Sequence, residues 1–429
     1  MRHLPIDPQL FIQHRESLKA RLQPGSLVIV NANDILPTNA DGTLLMQANS
    51  DLFYLTGVEQ EESILVMFPD HPDETMREIL FLRETNEHLT IWEGHKLSKE
   101  EAIKTSGIRN IKWLDTFPTI LHQLMCDADH VYLNANEHKR AVIEVQTRDA
   151  RFIHELKSKY PLHSYQRLAK IMHQLRTVKH DIELQLLKQA IAVTKSGFER
   201  VARATRPGVT EYQLEAEFIH EFTANRCKFA YNPIIAGGEN SCVLHYNQND
   251  QTLRDGDVLL IDVGANYANY NADLTRTIPV SGKFTDRQKA VYNAVLRVLK
   301  ASIAGATVGK LHRDWFRESQ EMMNQELLSL GLLSEEDLKR QKSGEPACRK
   351  YFMHGLGHVL GLDVHDVGLM TEPFAAGWVL TVEPGIYIPE EGFGVRLEND
   401  ILVTESGPVD LMADIPLEVE EIEALMHSR

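Results

Sequence analysis

The chain has 429 residues, of which 43% are hydrophobic and 25% charged, and its formal net charge is −16. This length exceeds what one core usually holds, so two domains are expected. The acidic balance argues against binding to nucleic acid or to an anionic membrane surface. The sequence contains four cysteines without a CxxC pair, no signal-peptide pattern and no apolar run of the ~20 residues that a membrane span needs. We therefore expect a cytoplasmic protein with reduced thiols.

The first part of the chain alternates short apolar runs with helical patterns, which is typical of an α/β domain. Near residues 164–180 the pattern changes to long helices with polar faces. We therefore place a domain boundary near residue 173, which divides the chain into 1–172 and 173–429. Within the first domain, buried strands are predicted at 27–30, 63–68, 79–82 and 131–133, and helices at 8–22, 99–106 and 117–125.

Two segments of the second part resemble each other. Gly208 to Leu214 has the sequence GVTEYQL and Gly305 to Leu311 has the sequence GATVGKL, and each lies between two helical patterns. Gly followed by Thr is also a common way for one helix to end and the next to begin, so this match alone is weak. It nevertheless favours a duplicated helix-helix-strand unit, with a site at the interface of the two halves.

Carboxylates recur inside the apolar stretches of this second part. Asp262 and Asp273 flank a segment rich in turn-forming residues. In an antiparallel hairpin in which Val263 pairs with Ala272, the two aspartates would lie directly opposite each other on one face. Like charges in that position destabilise a sheet, whereas a metal ion between them would attract both. The alternative is that both aspartates merely flank a turn.

Three later segments add further candidate ligands. His354-Gly-Leu-Gly-His358 has the i, i+4 spacing of HExxH but lacks the glutamate, and its two glycines weaken a helix, so it is not a zincin motif. Glu383 ends an apolar strand before Pro-Gly, and Arg396 and Glu398 share one strand face. Singly, each could be an edge strand or a chance histidine. Jointly, four carboxylates and one imidazole suit two divalent metal ions, and two-metal sites are typical of hydrolases.

The ordered motifs of the chain resemble the pita-bread metallopeptidases, a family that includes aminopeptidase P, prolidase and methionine aminopeptidase. The matching segments are HYNQND, DVGANYANYNADLTRT, HGLGHVLGLDVHDVG, TVEPGIYI and GVRLEND. Near the N-terminus, NSDLFYLTG and IWEGHK resemble a creatinase-type domain, which methionine aminopeptidase lacks. The resemblance covers essentially the whole chain and is strongest to aminopeptidase P. It implies an α/β (α+β) fold, in which a creatinase-like α/β domain precedes a pita-bread catalytic domain with an internal pseudo-twofold repeat.

The resemblance also implies an activity. The chain would be an Xaa-Pro aminopeptidase, a metal-dependent exopeptidase that releases the first residue of peptides with proline second, through a hydroxide that bridges two metal ions. Asp262 would hold one metal ion, His358 and Glu383 the other, and Asp273 and Glu398 would bridge both. Manganese is expected, with cobalt or zinc as alternatives. Glu383 would also shuttle the proton.

Other residues would bind the substrate. The resemblance implies that His245, His354 and His365 line the pocket, orient the peptide and stabilise the tetrahedral oxyanion. Arg396 would neutralise excess carboxylate charge. The expected partners are peptides with proline at the second position and further copies of the chain, in a dimer or tetramer, because the segment with Trp92 can reach a neighbouring subunit's site in the resembling family.

Three alternatives remain open from the sequence. A prolidase, which cleaves only Xaa-Pro dipeptides, shares the fold and the metals, although the residues before His354 lack the proline that prolidases often have there. A metal-free amidinohydrolase of the creatinase type is disfavoured by the complete ligand set. A non-catalytic peptide-binding module is the third alternative, and such relatives typically lose ligands.

Overall fold

The computed structural model of the protein describes residues 3–142, 144–342 and 344–427. The chain forms two compact units, and the boundary between them in sequence falls between Arg176 and Thr177. Among the described residues, none of the helices combines the length and apolar character that crossing a bilayer requires.

The first unit is built on one six-stranded mixed sheet with the strand order β4-β3-β2-β1-β5-β6. Strand β2 pairs antiparallel with β1 and β3, and the other neighbours are parallel. The strands are β1 (Ser26–Asn31), β2 (Ile64–Met67), β3 (Glu78–Leu82), β4 (Asn110–Trp113), β5 (His130–Leu133) and β6 (Ser164–Arg167). The helices are α1 (Gln9–Lys19), α2 (Ser50–Thr56), α3 (Glu87–Glu93), α4 (Lys99–Ser106), α5 (Phe117–Asp127), α6 (Arg148–Lys159) and α7 (Ala169–Thr177).

The core of the first unit explains which of its strands were predictable. Leu124 of α5 and Leu156 of α6 pack with Val66 and Phe81 of the sheet. The four strands predicted from apolar runs are the four inner strands, whose side chains are almost all buried. Strands β4 and β6 were not predicted. Both lie at the edges of the sheet, where fewer apolar residues are needed, and β6 has no buried side chain.

The second unit contains two pairs of long helices, each followed by antiparallel strands. Helices α8 (Asp181–Ala204) and α9 (Glu211–Ala224) precede the sheet β12-β9-β8, and α10 (Asp286–Gly305) and α11 (His312–Ser329) precede the sheet β13-β16-β17. This order agrees with a duplicated unit, and the mixed α/β class is confirmed. The strands are β7 (Lys228–Phe229), β8 (Ile234–Gly237), β9 (Val258–Val263), β10 (Ala265–Tyr267), β11 (Tyr270–Asn271), β12 (Leu274–Pro279), β13 (Val379–Val382), β14 (Gly385–Ile388), β15 (Phe393–Arg396), β16 (Asn399–Leu402) and β17 (Val409–Asp410), and the remaining helices are α12 (Glu335–Arg340) and α13 (Val419–His427).

The predicted register of the aspartate hairpin is wrong by two residues. Asp262 pairs with Thr275 and Val263 with Leu274, so Asp262 does not lie directly opposite Asp273. Side chains alternate along a strand with a period of two. A shift of two residues therefore keeps both aspartates on the same face of the sheet, as expected.

The turn of this hairpin sets its register. Tyr267 pairs with Tyr270, which leaves Ala268 and Asn269 as a two-residue turn. Both turn residues have positive φ, 51° and 66°. Two-residue hairpin turns with positive φ at both positions match the twist of the flanking strands. Because the turn is centred on this pair, every pairing between β9 and β12 follows from it.

Candidate active site

The five predicted metal ligands lie at strand ends or in loops of the second unit. Asp262 is the next-to-last residue of β9, and Asp273 immediately precedes β12. Glu383 follows β13, Glu398 lies between β15 and β16, and His358 belongs to a loop that is not helical. Carboxylates at strand ends can turn towards a common centre while the strands themselves stay apolar.

The structure brings these side chains together. Ligand atoms of Asp273, His358 and Glu398 all lie within 4.8 Å of one another. The Nε2 atom of His358 is 3.5 Å from Oδ2 of Asp273 and 3.8 Å from Oε1 of Glu383. Asp262 joins the cluster across the face that it shares with Asp273.

Tyr231 connects the two aspartates, and the sequence analysis missed it. Its hydroxyl lies 2.5 Å from Oδ1 of Asp262 and also contacts Oδ1 of Asp273. Burial and the neighbouring carboxylates raise the pKa of Tyr231 well above its usual value, so the hydroxyl stays protonated. It has one proton to donate, and the second carboxylate contact is therefore unfavourable without a cation nearby.

The electrostatics of the carboxylates fit metal binding. Burial, followed by the charges of the neighbouring carboxylates, raises the pKa of Glu398 well above its ordinary value. Burial also raises the pKa of Asp262, and it raises that of Glu383 to about 7. A cation would remove this penalty, because it stabilises the ionised form of each group. Oxygen-rich ligation with one imidazole suits a divalent metal ion.

Arg396 supplies one positive charge at the edge of the cluster. Its Nη2 lies 2.5 Å from Oδ2 of Asp262, and its Nε donates to Oγ1 of Thr275 at 3.3 Å. The Thr275 hydroxyl in turn donates to Oε2 of Glu398 at 2.7 Å. Through these contacts Arg396 fixes the orientation of two carboxylates.

The backbone fixes the orientation of His358. Its Nδ1 lies 3.1 Å from the carbonyl oxygen of Val359, and its backbone N–H donates to Oγ1 of Thr381 at 3.1 Å. A proton on Nδ1 leaves Nε2 free to bind a metal ion. A Cβ on Gly357 would lie 2.0 Å from the carbonyl oxygen of Thr381, so only glycine fits beside this histidine.

Each of the other three predicted histidines lies beside another residue of the site. Nε2 of His354 lies 2.8 Å from the hydroxyl of Tyr387. Burial and the charge of Arg396 lower the pKa of His354 to about 3, so its imidazole is neutral. The ring of His365 is perpendicular to that of His358 at a centroid distance of 4.3 Å. His245 is exposed and lies close enough to His354 for its charge to lower the pKa of that group further.

Sequence reasoning missed two further residues of the site, Tyr387 and Asp400, and only Tyr387 carried an indication. The side chain of Tyr387 occupies space that side chains at Gly385 and Gly394 would fill, because a Cβ would lie 2.7 Å from its hydroxyl at Gly385 and 2.7 Å from its ring at Gly394. A tyrosine between such glycines indicates close packing. Asp400 accepts the backbone N–H of Asp273 at 3.1 Å through Oδ2 and is fully buried. Nothing in the sequence near Asp400 identifies that contact.

Known proteins resemble this chain over its whole length. The family model for metallopeptidase family M24 matches residues 185–405, and that for the aminopeptidase P N-terminal domain matches residues 11–132. The Xaa-Pro aminopeptidases of Escherichia coli (strain K12) and Haemophilus influenzae are 34% and 33% identical to the chain, and the matches cover 98% and 97% of it and the same shares of the relatives.

Solved structures agree with the sequence relatives. Pseudomonas aeruginosa aminopeptidase PepP superposes with a TM-score of 0.89 at 30% identity, over 100% of this chain and 99% of that one. Zn-substituted E. coli aminopeptidase P in complex with product superposes with a TM-score of 0.86 at 34% identity, over 99% of each chain. The chain therefore belongs to metallopeptidase family M24, within its aminopeptidase P group, and is a hydrolase.

Proposed function

We propose that this chain is an Xaa-Pro aminopeptidase, which hydrolyses the first peptide bond of peptides with proline at the second position. One observation carries the proposal: four carboxylates and one imidazole converge in the second unit beside an arginine, a tyrosine and a second histidine. The relatives named Xaa-Pro aminopeptidase support the choice of substrate.

The ligand set divides between two divalent metal ions, for which we propose manganese. Asp262 would bind one ion and His358 and Glu383 the other, while Asp273 and Glu398 would bridge both. The central position of Asp273 and Glu398 in the cluster supports the bridging roles. When bound, such ions lower the pKa of a bound water to near neutrality and polarise the scissile carbonyl.

The chain's own residues would transfer the proton and bind the substrate. We propose that the carboxylate of Glu383 accepts the proton that the attacking water loses. Its oxygens lie 3.8 Å from Nε2 of His358 and 3.9 Å from Nδ1 of His354. From Glu383 the proton would pass to the proline nitrogen as the peptide bond breaks. His354, with His245 and His365, would contact the peptide and the developing oxyanion.

Proline selectivity follows from the chemistry of the bond. The Xaa-Pro amide has no N–H, so a peptidase that binds its substrate through this donor cleaves the bond poorly. The proposed site uses the carbonyl oxygen and the leaving nitrogen instead. A pocket shaped for the pyrrolidine ring would then favour peptides with proline at the second position over peptides with another residue there.

We also propose the cellular and structural setting. The catalytic domain would span 173–429 and the N-terminal domain 1–172; the division of the structure between Arg176 and Thr177 supports this boundary. We place the protein in the cytoplasm and expect a dimer or tetramer. Trp92, which is 77% exposed, supports a subunit contact, and the sedimentation of the Trp92→Ala variant would test it.

The substrate assay tests the central proposal. The manganese-loaded protein is compared on an Xaa-Pro dipeptide, the matching Xaa-Pro-Xaa tripeptide and the Xaa-Ala-Xaa analogue. We expect kcat/KM on the tripeptide to at least equal that on the dipeptide, and the alanine analogue to be much slower. Hydrolysis of dipeptides alone would identify a prolidase. Metal binding without any hydrolysis would favour a non-catalytic peptide-binding module.

A further inference from the structure

The buried carboxylate of Glu211 lies outside the metal cluster. It is the first residue of α9 and belongs to the segment Gly208 to Leu214, which resembles the segment before α11. Its side chain is completely buried. A buried carboxylate is costly unless hydrogen bonds compensate it, so the partners of Glu211 indicate what it does.

All the strong partners of Glu211 lie on one loop. Oε1 accepts the backbone N–H of Gly237 at 2.8 Å. Oε2 accepts the hydroxyl of Tyr246 at 2.8 Å and the backbone N–H of Gln251 at 2.9 Å. The three donors therefore hold the start, the middle and the end of the loop 237–251, which contains His245.

Only a carboxylate satisfies this arrangement. Both oxygens of the carboxylate accept hydrogen bonds here. A glutamine has only one acceptor oxygen, and its NH2 group would point N–H bonds at a donor of the loop. The position at the start of α9 favours a negative charge as well, because the helix dipole is positive there. The carboxylate of Glu211 therefore accepts a hydrogen bond from each of the three donors.

His245 needs such support from its neighbours. Its side chain is exposed, and within the part of the chain that the structure describes no hydrogen bond holds its imidazole. The next residue, Tyr246, is only 7% exposed and packs in a cluster with Leu260 and Tyr387. The position of His245 is therefore set by Tyr246, whose hydroxyl is bound by Glu211.

We propose that Glu211 is a positioning residue that holds His245 towards the peptide through Tyr246. The inference rests on the proposed function, because it gives His245 a substrate to contact. It assigns to the start of α9, more than thirty residues before His245 in sequence, a role in the geometry of the substrate pocket.

Kinetics of matched variants test the proposal. Glu211→Gln should lower kcat/KM for an Xaa-Pro-Xaa tripeptide by roughly 10- to 100-fold, the cost of misplacing a catalytic group by about 1 Å. Its metal content should equal that of the wild type. Tyr246→Phe should give a smaller loss of the same kind. Glu217→Gln on the same helix breaks only a partly exposed contact with Arg200 and should leave kcat/KM unchanged.

A double-mutant cycle separates positioning from general destabilisation. In a His245→Ala background, Glu211→Gln should cause no further loss of kcat/KM, since the group that it positions is already absent. An equal loss in both backgrounds, or an unchanged kcat/KM in folded Glu211→Gln, would overturn the proposal. If Glu211→Gln does not fold, the cycle between Tyr246→Phe and His245→Ala decides in the same way.

Hydrogen exchange of the metal-free protein tests the loop without any activity. The amides of Gly237 and Gln251 should exchange faster in Glu211→Gln, whereas Glu217→Gln should match the wild type. Unchanged exchange would show that Glu211 does not hold the loop. A wild-type protein that binds metal but cleaves no Xaa-Pro peptide would defeat the proposed function instead, and the exchange result would still decide whether the loop is held.

Discussion

Arg396 donates a hydrogen bond of 2.8 Å from Nη1 to the hydroxyl of Tyr387. The same hydroxyl lies 2.8 Å from Nε2 of His354, whose Nδ1 lies 2.8 Å from the carbonyl oxygen of Gly355. These contacts are all satisfied if Nδ1 carries the imidazole proton and Tyr387 donates to Nε2. Since Arg396 also contacts Asp262, a chain of hydrogen bonds connects this predicted metal ligand to His354.

Removal of the Tyr387 hydroxyl should break this chain. In Tyr387→Phe we expect kcat to fall by roughly 10- to 100-fold, because a hydrogen bond to a charged group contributes about 1.5–3 kcal/mol. The metal content should not change, since Tyr387 is not among the ligands. Steady-state kinetics with elemental analysis measure both. Tyr165→Phe in the first unit is the control: its hydroxyl donates to the carbonyl oxygens of Leu156 and Tyr160, so kcat should be unchanged.

His358 and His365, in the loop that precedes β13, should differ in their effects. His358→Ala should lose metal, because Nε2 of His358 faces the carboxylates. His365→Ala should retain metal yet lose about 10²-fold or more in kcat, the range for removing one group that stabilises an oxyanion. Elemental analysis of both variants beside their kcat values distinguishes the roles. Metal loss in His365→Ala together with normal content in His358→Ala would mean that the two assignments are exchanged.

Asp273 should be essential for the metal ions but not for folding. Asp273→Ala removes the carboxylate that lies closest to His358 and contacts Tyr231, so metal content and turnover should both collapse. Circular dichroism should still show the folded chain, because four mutually repelling carboxylates become three. Asp414→Ala, which removes an exposed carboxylate, should behave as the wild type. A fully active, metal-free wild-type protein would refute the metal assignment altogether.

The sequence predicted which side chains converge better than how they are arranged. Asp262, Asp273 and Glu383 stood out because an ionisable group inside an apolar run is rare without a reason. Their convergence agrees with that reasoning. The pairing within the hairpin could not be read from the sequence, because it depends on which two residues form the turn. The turn is Ala268-Asn269, which is not the Asn-Gly dipeptide that marks such turns.

Residues that act through tertiary contacts were beyond sequence reasoning. Tyr231 lies about 30 residues before Asp262, in a segment without an unusual pattern. Glu211 looks like an ordinary acidic residue in the first turn of a helix, where solvent exposure is the rule. Its burial becomes visible only when the loop with Tyr246 folds over it. Strand patterns, by contrast, are local, which is why the inner strands of the first unit were predictable.

Asp149, in the first turn of α6, connects stability of the first unit to pH. Its carboxylate accepts a hydrogen bond from Asn31 at 2.9 Å, yet burial raises its pKa from 3.8 to about 6. The carboxylates of Asp51 and Asp34 raise the pKa further, and Arg148 opposes them. Because the folded protein keeps this proton to a higher pH than the unfolded chain, the stability contribution of Asp149 is fully present below about pH 4 and is lost as the pH rises through about 6.

Asp149→Asn should therefore stabilise the protein at neutral pH and not at acid pH. A shift of about 2 pKa units corresponds to about 3 kcal/mol, and the dipole of α6, which favours the ionised form, offsets up to about 1 kcal/mol of it. At pH 7.5 we expect the variant to be more stable than the wild type by about 2 kcal/mol, and at pH 4 the two should be nearly equal, since asparagine can still accept the hydrogen bond from Asn31. Urea unfolding at both pH values measures the difference, with Glu155→Gln on the exposed face of the same helix as the control. A destabilisation of equal size at both pH values would show that the hydrogen bond matters and the buried charge does not.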